Sequence, residues 1–317
     1  MPKYGLLLLA LALALSCGDD GSSDGVLRRG DGAYRLDIGV EGSLQNPAWS
    51  PDGAAILFTR FRNGYNREPA DLMIYNLGSG AVRTLASDNS GNVNLPGAAW
   101  NAATAKVVFS SSREPHDEVY IIAANGRPGD EARITNRPHR AAYEPSFSPD
   151  GRWLVFESHP LGVEGRGVIT KFRADGTGGY RALTAAGDDC RQPNWAPAGG
   201  LICYQKLAGG RWDIWVMDAD GAGRRQVTAG AGDKTDASFA PDGGRLVYSS
   251  DEGGLTFANL FEIATAAGTP TRITSYDGYD GAPSWSPDGA RVVFESCAAE
   301  PDGSPGTTLW VVAAPER

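Results

Sequence analysis

Ser284-Trp285-Ser286-Pro287-Asp288-Gly289 leads into an apolar run, and Phe294 follows the tryptophan by nine residues. Proline fixes φ near the value needed at the first central position of a turn. Aspartate bonds its own backbone, and glycine takes the left-handed position that closes a hairpin. The hexapeptide therefore joins two antiparallel strands. The unit recurs around Trp49, Trp100, Phe147, Trp195 and Phe239, so that successive aromatics lie 51, 47, 48, 44 and 46 residues apart. Each copy has its second aromatic at the same offset: Phe58, Phe109, Phe156, Tyr204 and Tyr248.

Working outward, a third apolar strand follows in every copy, as in Leu72-Met73-Ile74-Tyr75 or Ile214-Trp215-Val216-Met217. A glycine-bearing turn such as Asp175-Gly176 or Asp220-Gly221 then leads to a fourth, such as Val82-Arg83-Thr84-Leu85. Four antiparallel strands in a unit of this length make one propeller blade. Six copies predict an all-β, six-bladed β-propeller of four-stranded antiparallel blades. The sixth copy reaches Arg317 after only three strands, whereas Ala33 to Ile38 is a spare strand ahead of the first copy. That N-terminal strand is expected to pair beside Leu309 to Val312, completing the last blade and removing an open edge.

Ahead of the propeller, Lys3 precedes an apolar run from Leu6 to Leu15. The run is too short to span a bilayer and has the layout of an export signal. Leu13-Ala14-Leu15-Ser16-Cys17 resembles the bacterial lipobox, in which the cysteine is acylated and becomes the first mature residue. Residues 18–25, rich in glycine, serine and aspartate, form a solvated tether. The expected organisation is a lipoprotein signal peptide at 1–16, a tether at 17–32 and the propeller at 33–317. Gly18 after the cysteine points to the outer membrane, facing the periplasm, with the lipid as the membrane contact.

The chain has 317 residues, 42 of them glycine and 20 proline, with 41% hydrophobic residues, enough for a packed core. Its net charge of -9 lacks the basic footprint of a nucleic-acid binder. Cys190, Cys203 and Cys297 have no metal-type spacing and are expected to be small packed residues; their disulfide state is left open.

The Ser-Pro-Asp-Gly hairpins and the stretch Asp213-Ile214-Trp215-Val216-Met217-Asp218-Ala219-Asp220-Gly221 resemble the TolB-type propeller repeat, over about residues 33–317. That family couples a six-bladed propeller to an extra N-terminal α/β domain and acts in the periplasm with a peptidoglycan-associated lipoprotein. The present chain is expected to lack the extra domain and to carry a lipobox where the family has a simple signal. Similar propellers precede the hydrolase domain of prolyl oligopeptidases, but no such domain and no Gly-x-Ser-x-Gly elbow is found here.

The turns between first and second strands and between third and fourth share one face of the disc and are short. The opposite face carries the longer, more varied loops, 60–70, 86–96, 137–143, 159–167 and 297–307, where function is expected. The residue three before each first-strand aromatic should stand at the axial channel mouth on that face. These are Asn46, Gly97, Glu144, Gln192, Asp236 and Ala282, with Asp280 close by. Such carboxylates and amides suit a hydrated channel, a polar or basic peptide, or a cation. His116, His139 and His159 sit on separate loops and are expected not to build a metal site. Trp49, Trp100, Trp195, Trp215, Trp285 and Trp310 read as blade-to-blade core, whereas Trp153 and Trp212 fall outside the apolar columns. The expectation is a monomeric protein-binding scaffold of the cell envelope that needs no cofactor and performs no catalysis. Its candidate binding residues are Asn46, Glu144, Gln192, Asp236 and Asp280; its partner is an envelope protein or peptide, such as a peptidoglycan-associated lipoprotein. The alternative is an enzyme acting on oligosaccharides or peptides at the channel mouth.

Overall fold

The computed structural model describes residues 25–87, 91, 93–94, 99–163, 165–298 and 306–315. Cys17 and the start of the tether lie outside the described residues, as does Gly97. Six antiparallel sheets follow one another along the chain. Blade 1 consists of Ser43–Trp49, Ala55–Phe61, Ala70–Asn76 and Val82–Ser87, in that order from the axis outward. Blades 3, 4 and 5 repeat the pattern from Arg140–Phe147, Asp189–Trp195 and Lys234–Phe239. In blade 2 the innermost strand is split into Val93–Asn94 and Trp100–Asn101, both paired with Lys106–Ser111.

Blade 6 is completed from the other end of the chain. Tyr34 pairs with Val311 and Arg35 with Trp310, and the Leu36 N–H donates to Leu309 O at 2.9 Å. Arg29, just upstream, reaches between blades 5 and 6 to hold Asp280 through two hydrogen bonds of 2.9 and 3.1 Å. Blade 6 is also fastened to blade 1: Thr307 O accepts from Leu44 N, and Thr307 Oγ1 donates to Leu44 O.

The core is not central but lies in six apolar wedges, one between each pair of neighbouring blades. Strand alternation produces this arrangement. Leu57 faces blade 2 while its neighbours Ile56 and Phe58 face blade 6, and all three are fully buried. Burying a side chain of this size stabilises by about 1.5–3 kcal/mol, and each blade repeats it on both faces. Trp49, Trp195 and Trp285 belong to these wedges, as their place in the repeat implies.

The hairpin that defines the repeat forms for the expected reasons. Ser50 Oγ donates to Asp52 Oδ1 at 2.6 Å, which also accepts from Ala54 N at 3.0 Å, while Ser50 Oγ accepts from Ala55 N at 2.8 Å. The Ser148–Asp150 and Ser286–Asp288 turns repeat this pattern, and in blade 2 Asn101 Oδ1 takes over by accepting from Thr104 N and Oγ1. Gly151 shows why glycine ends the motif. Its φ is +68°, and a Cβ there would lie 2.4 Å from Thr104 Cγ2 of the preceding blade.

Candidate functional site: the axial mouth

Among the described residues, the innermost strands of five blades carry a bulge at one position. The register slips between Gln45 and Ala48, Tyr143 and Ser146, Arg191 and Asn194, Thr235 and Ser238, and Gly281 and Ser284. Within the bulges Asn46, Glu144, Gln192, Asp236 and Ala282 adopt φ of 50°, 48°, 48°, 56° and 46°. A left-handed non-glycine residue costs on the order of 1 kcal/mol or more. Five such residues at one repeat position are held by the surrounding sheet, and a bulge re-aims its side chain. All five line one small cavity of about 30 Å³ on the axis.

The bulge also removes a backbone N–H from the ladder, and the neighbouring blade supplies its acceptor. Glu295 Oε2 accepts from Asn46 N at 2.9 Å, Glu157 Oε2 from Gln192 N at 2.8 Å, and Gln192 Oε1 from Asp236 N at 3.1 Å. Glu157 and Glu295 were missed in the sequence reading. Their signal was present: each directly follows its second-strand aromatic, Phe156 or Phe294, and places an acid in an otherwise apolar strand.

Around the cavity, Gln192 Nε2 donates to Asp236 Oδ1 at 2.7 Å and to Glu144 Oε1 at 3.3 Å. Asp236 Oδ2 accepts from Thr235 Oγ1 at 2.8 Å. Burial, and then the charges of Glu157 and Asp236, push the Glu144 carboxyl well above its ordinary range. Burial raises Asp236 likewise. Burial, reinforced by the Asp236 charge, raises Glu295 to about 7 even though Asn46 N and the hydroxyls of Tyr65 and Tyr279 bond it. The mouth is thus a cluster of buried acids whose carboxyls are all shifted toward the protonated form.

Four of the five predicted binding residues meet here: Asn46, Glu144, Gln192 and Asp236. Asp280 does not. It is fully buried between blades 5 and 6 and bound to Arg29, so it is part of the ring closure and not of the mouth. The intervening bulge breaks the two-residue alternation, so counting back along the strand assigns Asp280 to the wrong face.

Beside the mouth and sharing Glu144 with it lies a larger cleft of about 660 Å³, walled by Tyr143, Glu157, His159, Leu161, Val163 and Arg191. His159 Nε2 is 3.0 Å from Glu157 Oε1, and its ring meets Tyr143 edge-on at 5.5 Å. His116 is instead bound to Arg137 O at 2.9 Å, and His139 is exposed. Among the described residues no three histidines, cysteines or acids are grouped to hold a metal ion. Cys190 and Cys203 are buried, and burial pushes the Cys190 thiol up to about 11. At the opposite end of the axis, Trp49, Phe147, Trp195, Phe239 and Trp285 wall a cup of about 330 Å³, a second position for side chains that also serve blade packing. Trp153 is covered by Lys171 and Arg173, and Trp212 by Arg191.

Comparison with known proteins agrees with this architecture. The family model described as the TolB beta propeller domain matches residues 39–212 and 190–302. The chain belongs to the TolB β-propeller family. The Tol-Pal system protein TolB of Francisella tularensis subsp. mediasiatica is 25% identical over 182 residues, covering 55% of this chain and 40% of the relative. The chain thus spans well under half the length of the curated relatives it matches. Among solved structures, TolB from Acinetobacter baumannii superposes with a TM-score of 0.62 at 18% identity, covering 87% of this chain and 64% of that one. The putative TolB from Agrobacterium tumefaciens gives 0.59 at 17% identity, covering 86% and 91%. An oligogalacturonate lyase in complex with manganese gives 0.57 at 18% identity, covering 86% and 78%. At these identities the structural likeness is one of fold.

Proposed function

We propose that this TolB-family propeller is an exported lipoprotein of the cell envelope that binds a protein or peptide partner through its long-loop face and catalyses no reaction. The observation that carries the reading is the repeated bulge. Five blades hold strained residues at the same position, all five line one axial cavity, and Glu144 joins that cavity to the cleft walled by Leu161 and Val163 of a long loop. Strain kept at one site in blade after blade, on the face with the variable loops, is what a recognition surface built on a rigid ring requires. The Francisella relatives are named for the Tol-Pal system, which favours an envelope partner such as a peptidoglycan-associated lipoprotein. The Leu13-to-Cys17 motif supports anchoring through Cys17, with the outer membrane as the destination.

A photo-crosslinking amino acid at Val163, on the long-loop face, is expected to trap a discrete partner in intact cells. The same probe at Thr177, in the Asp175–Gly176 turn of the opposite face, is expected to trap none. Adducts from Thr177 alone would overturn the assignment of the face. Feeding cells a labelled fatty acid is expected to mark the wild-type protein and not Cys17→Ala; an unmarked wild-type protein would contradict the lipid anchor.

A further inference from the structure

Building on the long-loop-face reading, we propose that the axial mouth receives one primary ammonium group, the lysine side chain of the partner. An apolar residue next to that lysine seats against Leu161 and Val163.

Size selects the group. The axial cavity is narrow: it leaves about 30 Å³ for the centres of water-sized groups, against about 660 Å³ in the neighbouring cleft. An ammonium is a compact point charge of that scale, whereas a guanidinium is a broad planar fork. Charge selects the sign. Glu144 and Asp236 line the cavity, and Glu157 and Glu295 stand behind it on the second strands of blades 3 and 6. The nearest basic groups are already engaged. Arg191 is bound to both oxygens of Asp189, at 3.1 and 2.9 Å, and His159 to Glu157. Tyr65 and Tyr279, the other titratable groups at Glu295, are kept neutral by burial and by the acid beside them.

An independent observation points to a missing donor. Glu144 Oε2 is buried and has no hydrogen-bond partner. A buried polar atom left unpaired costs about 1–3 kcal/mol, and an ammonium has three N–H donors to offer the carboxylate once it is ionised. Glu144 is also the wall common to the axial cavity and the side cleft. Leu161 and Val163, on the rim of that cleft, are 44% and 42% exposed, among the few large apolar side chains left in solvent. A lysine entering the mouth would place a flanking side chain over them.

The proton balance follows from the geometry. Without ligand, burial raises all three carboxyls, and neighbouring acid charges raise Glu144 and Glu295 further. A cation within about 4–6 Å favours the ionised carboxylate, so the carboxyl passes its proton to solvent as the ammonium enters. No bond to carbon forms or breaks. Below the pH at which Glu144 ionises, binding must displace its proton, so affinity rises with pH until that carboxyl is ionised.

The test is titration calorimetry of the full-length protein in detergent with acetyl-Leu-Lys-Leu-amide, at pH 5.5, 6.5 and 7.5, in two buffers of different ionisation enthalpy. Arginine, norleucine and Ser-Lys-Ser counterparts serve as controls. The expected result is buffer-dependent heat showing proton release and affinity rising by up to about tenfold per pH unit, with each control at least about tenfold weaker. Glu144→Gln is expected to abolish the proton release while its thermal transition is retained. Equal binding of the arginine or norleucine peptide, or affinity independent of pH, would overturn the ammonium site. Equal binding of the Ser-Lys-Ser peptide would overturn the apolar seat, and matching proton release by ammonium chloride alone would reduce the site to a small-cation site. If none of the peptides binds while the probe at Val163 still traps a partner, this inference falls and the docking face stands.

Discussion

At the turn face, Asp52, Asp150 and Asp288 are exposed, and each accepts from the serine two residues before it and from a backbone N–H within its own hairpin. Those bonds favour the charged form and lower all three carboxyls below their usual range. At the other end of the same channel, Glu144, Asp236 and Glu295 gather around one another, out of water, and all three are raised. One repeat therefore delivers acids to both faces, but the turn acids spend their bonding within their own loops. The mouth acids are brought together across blade boundaries, which serves no single blade. Asp280 represents a third state: it is buried like the mouth acids, yet it has its own cation in Arg29.

The largest effect that would sharpen this contrast is at Asp280. Arg29→Ala leaves a buried acid without its partner, a change that costs about 3–5 kcal/mol. A clear fall in melting temperature is expected, partly recovered by adding Asp280→Asn. An unchanged melt would mean that Asp280 is no different from the turn acids. The next effect is pH-dependent. Because Glu295 binds its proton more tightly folded than unfolded, its contribution is fully present below about 4.5 and is lost as pH rises through about 7. Glu295→Gln should flatten that loss, worth on the order of 2 kcal/mol, in chemical denaturation between pH 5 and 8; an identical pH slope would break the comparison. The smallest effect is at the turn. Asp288→Ala removes two local hydrogen bonds at an exposed site and should cost about 1 kcal/mol. This loss has the opposite pH sense: the lowered carboxyl stabilises the fold above its unfolded range, and that stabilisation disappears in acid.

The ring was legible in the sequence because the hairpin chemistry is local. Proline, aspartate and glycine act within one turn, and the aromatic pair nine residues apart recurs six times even where the turn residues change, so six copies announce six blades. The latch was legible by subtraction, since Tyr34–Arg35 supplies the strand that the sixth copy lacks. Asn46, Glu144, Gln192 and Asp236 were found because a repeat position maps onto a position around an axis. The partners of these residues were harder to see. Glu157 reaches the mouth by accepting from Gln192, 35 residues away in the next blade, and Glu295 by accepting from Asn46 across the closure. Nothing local requires either acid, and the bulge that joins them to the site interrupts the alternation from which a strand is read.

The most direct test of the account is a pH titration of the side-chain carboxyls by ¹³C NMR, with Glu295→Gln assigning the key signal. The account predicts one glutamate resonance with a midpoint near 7 in the free protein, while the turn aspartates titrate below 3.8. If every carboxyl instead finished titrating by about pH 5, as freely solvated acids do, the mouth would be an ordinary wet channel, and its role as the recognition site would be contradicted.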